Sequence, residues 1–473
     1  MATKFVEVTA ITEGRHQAEN GVCWVRHRAA TSGREKAQAM VIGKGSAERY
    51  LSKEEMRAIV GEAAASIPIA GKRVLVIIPD GTRTMPMPLM FSLLQTIMRP
   101  RVAALDYLVA LGTHSLMSDA DLSRHLGQPV VNGMVGETHV FNHHWENPET
   151  FEDLGTIPGN EIRVLSKGRL EQDVRVGLNK LILDYDHIII CGPVFPHEVV
   201  GFSGANKYFF PGIASPEIIH FTHWLGALIT SPEVIGAGYT PVRAVIDRAA
   251  ALIPRVTTCL ALVVTHEGVA GLYFGKPQEA WTAASELSAK KHIVYVDRPF
   301  QRVLSVMPEM YRDIWTAAKG MYKIEPAVAD GGEVIVYAPH ISEVSYTHGK
   351  LLDEIGYHCR DYFVKQWERF KGYPGGILAH STHLAGLGEY DPVSGQETLR
   401  IRVTLATQIS EERCRRLNLG YLDPKAINMD QWRGREDQGV IVVPRAGEVL
   451  YRLKPGVATR EKADARDLTF HRA

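Results

Sequence analysis

The stretch Arg73–Pro79 (RVLVIIP) carries apolar residues almost without interruption. A strand with one wet face alternates apolar and polar side chains. A strand that is apolar throughout is buried on both faces, as in parallel sheets covered by helices on either side. Ala103–Leu111 (AALDYLVAL) and His187–Gly192 (HIIICG) share this character, and further strands are expected at Cys259–Thr265, His292–Asp297, Glu333–Ala338, Leu399–Thr404 and Val440–Pro444. Longer helical patterns fall at Lys53–Ile67, Pro88–Met98, Asp119–Leu126, Pro216–Leu228, Pro241–Leu252, Pro277–Ala289, Tyr311–Met321, Lys350–Phe370 and Glu411–Asn418. Short strands alternating with longer helices place the chain in the α/β class.

A length of 473 residues exceeds what one core of ordinary size accommodates. Two α/β domains are expected, residues 36–289 and 290–473, with the break at Ala289–His292 and the active site in the cleft between them. Residues 1–35 read as an extension without its own core, docked through Trp24. The 53 basic and 53 acidic residues cancel, so no overall field draws the chain to nucleic acid or an acidic membrane surface. The opening residues hold no apolar stretch of the secretory kind, and no later window is long and uncharged enough to span a bilayer. Cys23, Cys191, Cys259, Cys359 and Cys414 are scattered singly, which suits a reducing compartment and gives neither a zinc ribbon nor a disulfide framework. The expectation is a soluble, cytoplasmic enzyme.

Each of the first three strands is followed at its carboxyl end by a polar cluster: Asp80–Thr84 (DGTRT), Gly112–Ser115 (GTHS) and Pro193–Lys207. Ligands of open α/β sheets sit outside the carboxyl ends of the strands, so these three loops can converge on one site. Arg83 offers a donor fork suited to carboxylate or phosphate, although DGTRT also fits an ordinary turn in which Asp80 caps the next helix. Ser118 and Asp121 form a capping box, which accounts for both residues and leaves His114 as either a loop residue or a catalyst.

The third loop, within PHEVVGFSGANKYFFPGIAS (Pro196–Ser215), is the richest. Gly201 and Gly204 permit positive φ or close approach to a ligand. Lys207 lies among Tyr208, Phe209 and Phe210, where desolvation would lower its pKa and make it a nucleophile or covalent anchor; a lysine snorkelling over aromatic surface is the plainer alternative. Ser215 and Pro216 suit the N-cap and first position of the next helix. On that helix His220 and His223 share a face and could bind a transition metal or simply bond carbonyls. His139, His143 and His144 are expected to be surface or loop-packing residues. Of the later histidines, His380 and His383 (AHSTHLAG) are the pair that a site could use.

The motifs DGTRTMP, LGTHSLMSDADLSRHLG, PHEVVGFSGANKYFFPGI with its downstream histidine, and AAKGM, in this order over roughly residues 40–345, resemble the lactate racemase family of 2-hydroxy-acid racemases and epimerases. The resemblance implies a nickel-pincer nucleotide, a pyridinium-3-thioamide-5-thiocarboxylic acid mononucleotide carrying nickel, covalently attached at Lys207. It further implies His223 (or alternatively His220) as the nickel ligand, His114 and His197 as acid–base pair, and Asp80 in the cofactor-contacting turn. Arg83 and Lys319 would hold the substrate carboxylate. Two departures stand out. Ala205-Asn206 replaces the family's glycine-arginine before the tethering lysine, and Thr316 stands where the lactate enzyme has glutamine, which puts lactate itself in doubt. The chemistry implied is reversible hydride transfer from C2, one histidine taking the hydroxyl proton and the other serving the opposite face. Alternatives are an epimerase of larger sugar acids, a non-catalytic cofactor-binding protein, and a zinc hydrolase using His197, His220 and His223.

Overall fold

A computed structural model describes residues 41–459. Its larger sheet has eight strands in the order Ile42–Gly45, Gly268–Gly275, Val256–Thr265, His187–Pro193, Arg73–Ile78, Ala104–Val109, Thr138–Asn142 and Met134–Val135. The five from Val256–Thr265 to Thr138–Asn142 are mutually parallel. Their unbroken apolar character follows from two-sided burial. Leu75, Ile77, Leu108, Ile188 and Ile190 enter one core, while Val74, Val76, Ile78, Leu105, Tyr107 and Ile189 enter the other. Each such side chain contributes roughly 1.5–3 kcal/mol on burial. Helices Pro216–Ile229, Pro241–Ala250 and Pro277–His292 cover the first face, and Lys53–Ser66, Met87–Ile97 and Asp119–Leu126 the second.

A second sheet of five parallel strands runs Gly420–Tyr421, Arg402–Thr407, Val328–Ala338, Phe300–Val306, Val440–Val443. Its core takes Val334, Val336, Leu405, Ile377 and Leu378, and also Trp224 and Ala227 from the helix Pro216–Ile229. That helix packs against Gly375–Ala385. A Cβ at Gly375 would lie 2.7 Å from the His220 carbonyl oxygen and 2.9 Å from the Trp224 Cβ, so a bare backbone sets the close approach. The described residues belong to one compact unit that holds both sheets.

Several expectations are corrected. Lys350–Phe370 is three short helices, Gly349–Ile355, Arg360–Val364 and Trp367–Phe370, because Gly356 takes φ +71° and ends the first. Tyr311–Met321 is two separate turns, Ile314–Ala317 and Lys319–Tyr322. The strand expected at Leu399–Thr404 starts at Arg402, after a hairpin strand that ends at Leu399. His139 lies on the strand Thr138–Asn142 rather than in a loop. His143 is fully buried, its Nε2–H donating to the Ala214 carbonyl (3.3 Å) while Nδ1 accepts from the Asn179 amide (3.1 Å). Ser215 occupies the N-cap but makes no capping hydrogen bond, whereas Ser118 and Asp121 form the full capping box. Cys191, Cys259, Cys359 and Cys414 are buried free thiols. The extension 1–35, with Cys23 and Trp24, lies outside the described residues. Among those described, no helix is long and apolar enough to cross a membrane.

Candidate active site

The winding of the larger sheet reverses between its neighbouring strands Arg73–Ile78 and His187–Pro193. The loops leaving their carboxyl ends therefore diverge and open a crevice, the general ligand position of doubly wound sheets. Asp80 and Arg83 come from the first of these loops, His197 and Lys207 from the second, and His114 from the loop after the adjacent strand Ala104–Val109. Arg83, His114, His197, Lys207, His223 and Lys319 all line one cavity. Asp80 does not face that cavity but lines a smaller one beside it, together with Arg83 and Lys207.

Asp80 is buried, and its carboxylate anchors the first two loops. Oδ1 accepts from the Thr82 amide (2.9 Å) and hydroxyl (2.6 Å), and Oδ2 lies 2.5 Å from His114 Nδ1. Burial opposes its charge, yet His114 and Arg83 outweigh that and hold the carboxyl well below the usual range. An ionised Asp80 requires the proton on His114 Nδ1, which leaves Nε2 as the basic nitrogen. Asp80 does not cap a helix, since the next one begins at Met87 with Pro86 as N-cap.

His197 is 7% exposed. Burial, followed by Lys207, Arg83 and His223, holds its pKa well below the ordinary value, so the ring is neutral. Its Nδ1 meets both the Val199 amide and Glu198 Oε2, each at 3.2 Å. The amide needs that nitrogen bare; the carboxylate needs it protonated. The two neighbours thus favour opposite tautomers of one ring, and Glu198 is a site residue that sequence reasoning missed, although it adjoins His197 in the chain.

Lys207 is partly buried beside the cation Arg83, and burial followed by that repulsion pushes its amine down to about 7. Near neutrality about half of it is an uncharged nucleophile. The loop that carries it is pinned from below. Buried Arg243 donates to the Gly204 carbonyl (3.2 Å) and the Phe202 carbonyl, and the Asn206 amide donates to Asp247 (2.9 Å). Ala205 takes φ +50°, a conformation that glycine holds without strain.

His223 Nδ1–H donates to the Ile219 carbonyl (2.7 Å), which fixes the tautomer and leaves Nε2 free as a donor atom. Burial brings its pKa to about 4, so the nitrogen stays bare. His220, one turn back, packs against Gly375 and Gly376 and does not line the cavity. The opposite wall comes from the second sheet's helices, with Trp315, Tyr322, His380 and His383. His380 stacks on Trp315 at 4.2 Å, and buried His383 Nε2 has no hydrogen-bond partner. Sequence periodicity did not reveal their helix, Gly375–Ala385, because ten of its eleven residues are buried and no polar face marks it. Among the described residues no three His, Cys, Asp or Glu side chains cluster as a metal cage.

This is an α/β protein with a histidine-lined cavity at the carboxyl edge of a parallel sheet. Residues 53–235 match the lactate racemase N-terminal domain. The chain is 31% identical over 154 residues to a lactate racemase of Thermoanaerobacterium thermosaccharolyticum, covering 32% of each chain. It is 29% identical over 166 residues to a lactate racemase of Lactiplantibacillus plantarum, covering 34% of this chain and 35% of that one. These alignments therefore span about a third of the curated relatives. A solved protein from Thermotoga maritima aligns with TM-score 0.80 and 32% identity, over 85% of this chain and 99% of that one. The lactate racemase apoprotein from T. thermosaccharolyticum aligns with TM-score 0.62 and 19% identity, over 88% and 95%. The chain thus carries a lactate racemase N-terminal domain at residues 53–235 and shares the fold of a lactate racemase.

Proposed function

We propose that the chain is a racemase or epimerase that inverts C2 of a 2-hydroxy acid, with His114 and His197 as the acid–base pair. The observation that carries this reading is the meeting of two imidazoles from separate strand-end loops in one cavity with Lys207 and His223. Inversion needs a proton acceptor on each face of the reacting carbon, and two independent loops supply that where one loop could not. His114, with Nδ1–H held by Asp80, presents Nε2 to accept the hydroxyl proton. His197 alternates between its two neighbours at Nδ1 and so presents Nε2 as either acid or base. Arg83 and Lys319 hold the carboxylate; burial, with Arg83 next, keeps the Lys319 amine well below the ordinary lysine range, and an arriving anion restores its charge.

The residues present fit the cofactor that the family resemblance implies. Lys207 has a nucleophilic amine, His223 offers a bare Nε2, and the lack of a protein-only metal cage suits a metal whose other ligands belong to the cofactor. Bound at Lys207 and His223, a nickel-pincer nucleotide would supply the hydride acceptor that spares the protein a C2 carbanion. Thr316 lines the cavity with its hydroxyl turned to Asp313 (2.8 Å), which leaves room for a side chain larger than methyl and keeps sugar acids within the substrate class.

Incubating the cofactor-loaded protein with one enantiomer of an α-deuterated 2-hydroxy acid in ordinary water tests the proposal. Opposite enantiomer that retains the label is expected. Washout of deuterium would replace hydride transfer by proton abstraction, and absence of inversion across a panel of hydroxy and sugar acids would reduce the chain to a binding protein.

A further inference from the structure

Arg83 and Lys319 together line two cavities. A second cavity, which His114 and His197 do not line, is walled by Lys291, Lys323, Phe195, Tyr311 and Glu448. Lys319 is 9% and Lys323 3% exposed. Among the described residues neither forms an ion pair. Lys319 rests on the Tyr311 ring at 4.5 Å; Lys323 rests on Phe195 at 4.9 Å and reaches only a backbone carbonyl, that of Glu448, at 3.5 Å. Lys291 likewise bonds the Ala47 carbonyl and the Tyr50 hydroxyl, both at 3.1 Å. The acidic groups nearby are already engaged: Glu198, whose charge reaches Lys323 and Lys319 without an ion-pair contact, by His197 (3.2 Å), Glu448 by Arg445 (3.0 Å) and the Thr84 hydroxyl (3.0 Å), and Glu267 by Tyr50. Burial holds both amines below the ordinary lysine range, and an anion entering the cavity would restore their charge and complete them.

We propose that this second cavity is an anion subsite for the far end of the substrate, so that the acid inverted carries a second acidic group, carboxylate or phosphate, in addition to the carboxylate beside the reacting carbon. This rests on the racemase reading above and narrows its substrate class. The shared wall explains how one molecule would use both spaces: Arg83 and Lys319 take the proximal carboxylate, and Lys323, assisted by Lys291, the distal anion. Lys207 lines the reaction cavity and not this one, which separates the subsite from the anchoring point.

Two arms test it. Calorimetric titration of cofactor-free protein with succinate and with butyrate should show the dianion binding at least tenfold more tightly, with the preference abolished in Lys323→Met and weakened in Lys291→Met. In loaded protein, the ratio of kcat/KM for a hydroxy diacid to that for a hydroxy monoacid should fall at least tenfold in Lys323→Met and recover in Lys323→Arg. A phosphorylated hydroxy acid run alongside distinguishes phosphate from carboxylate as the distal group. Equal binding of succinate and butyrate by the wild type would overturn the subsite while leaving inversion of monoacids intact. A Lys323-dependent dianion preference without any inversion would instead sink the racemase reading alone. Loss of the bound nucleotide from Lys323→Met, seen in the intact mass, would assign the cavity to the cofactor's phosphate and overturn the proposal.

Discussion

Replacing Lys207 by methionine should make the cofactor-free protein more stable, and the size of the gain should depend on pH in a definite direction. Burial and Arg83 bring the amine from 10.5 to about 7. Between these values the unfolded chain holds a proton at this position that the folded chain does not. Stability therefore rises with pH through this window, and the penalty is complete below the folded value. With about 1.4 kcal/mol per pKa unit, the penalty is roughly 4 kcal/mol at pH 7 and roughly 1 kcal/mol at pH 9.5. Methionine keeps the length and apolar body of the side chain and removes the titration. The denaturant midpoint of Lys207→Met should thus lie above that of wild type at pH 7, and the gap should shrink by about 3 kcal/mol toward pH 9.5. Competitive acetylation at a series of pH values, read peptide by peptide, gives an independent measure, with half-maximal reactivity expected near neutrality. A variant no more stable than wild type at either pH, with Lys207 reacting as an ordinary surface lysine near pH 10, would refute the claim that this site stores destabilisation for reactivity.

Asp80→Asn should leave cofactor mass unchanged and lower inversion by about 10²–10⁴, because an amide no longer dictates which His114 nitrogen carries the proton; chiral chromatography of the product reads it directly. Reconstituted His223→Ala should lose bound nickel by elemental analysis, while His220→Ala should retain it, since only His223 turns a bare nitrogen to the cavity. Gly375→Ala forces a methyl to within 2.7 Å of a backbone oxygen on the facing helix and should cost roughly 1–3 kcal/mol in thermal unfolding, with no change in nickel stoichiometry once folded.

The parts of this fold legible in the sequence are those set by local chemistry. Two-sided burial wrote itself into RVLVIIP and HIIICG as unbroken apolar runs, and the strands Arg73–Ile78 and His187–Pro193 appear where those runs fall. The capping box at Ser118 is likewise a property of four neighbouring residues. What failed depended on distant partners. Lys350–Phe370 has helical composition, but Tyr357 and Phe363 are drawn into a core that a straight helix could not fill, and Gly356 allows the break. Gly375–Ala385 begins with two glycines and is buried almost all round, so neither propensity nor periodicity marks it.

The same division runs through the site. Types of residue were readable: a loop histidine, a lysine among aromatics, a pair of helical histidines. Their states were not, because each is set by a group far off in sequence. Arg83 stands 124 positions before Lys207 and depresses its amine; Asp80, 34 positions before His114, chooses its tautomer. His220 and His223 share a helix face in the sequence, yet the glycines of Gly375–Ala385 press His220 into helix packing and leave His223 alone at the cavity. A pair that reads as a bidentate metal site has one member at the cavity and the other in helix packing. Of the zinc-hydrolase ligand set only His197 and His223 reach the cavity, and no third group clusters with them among the described residues.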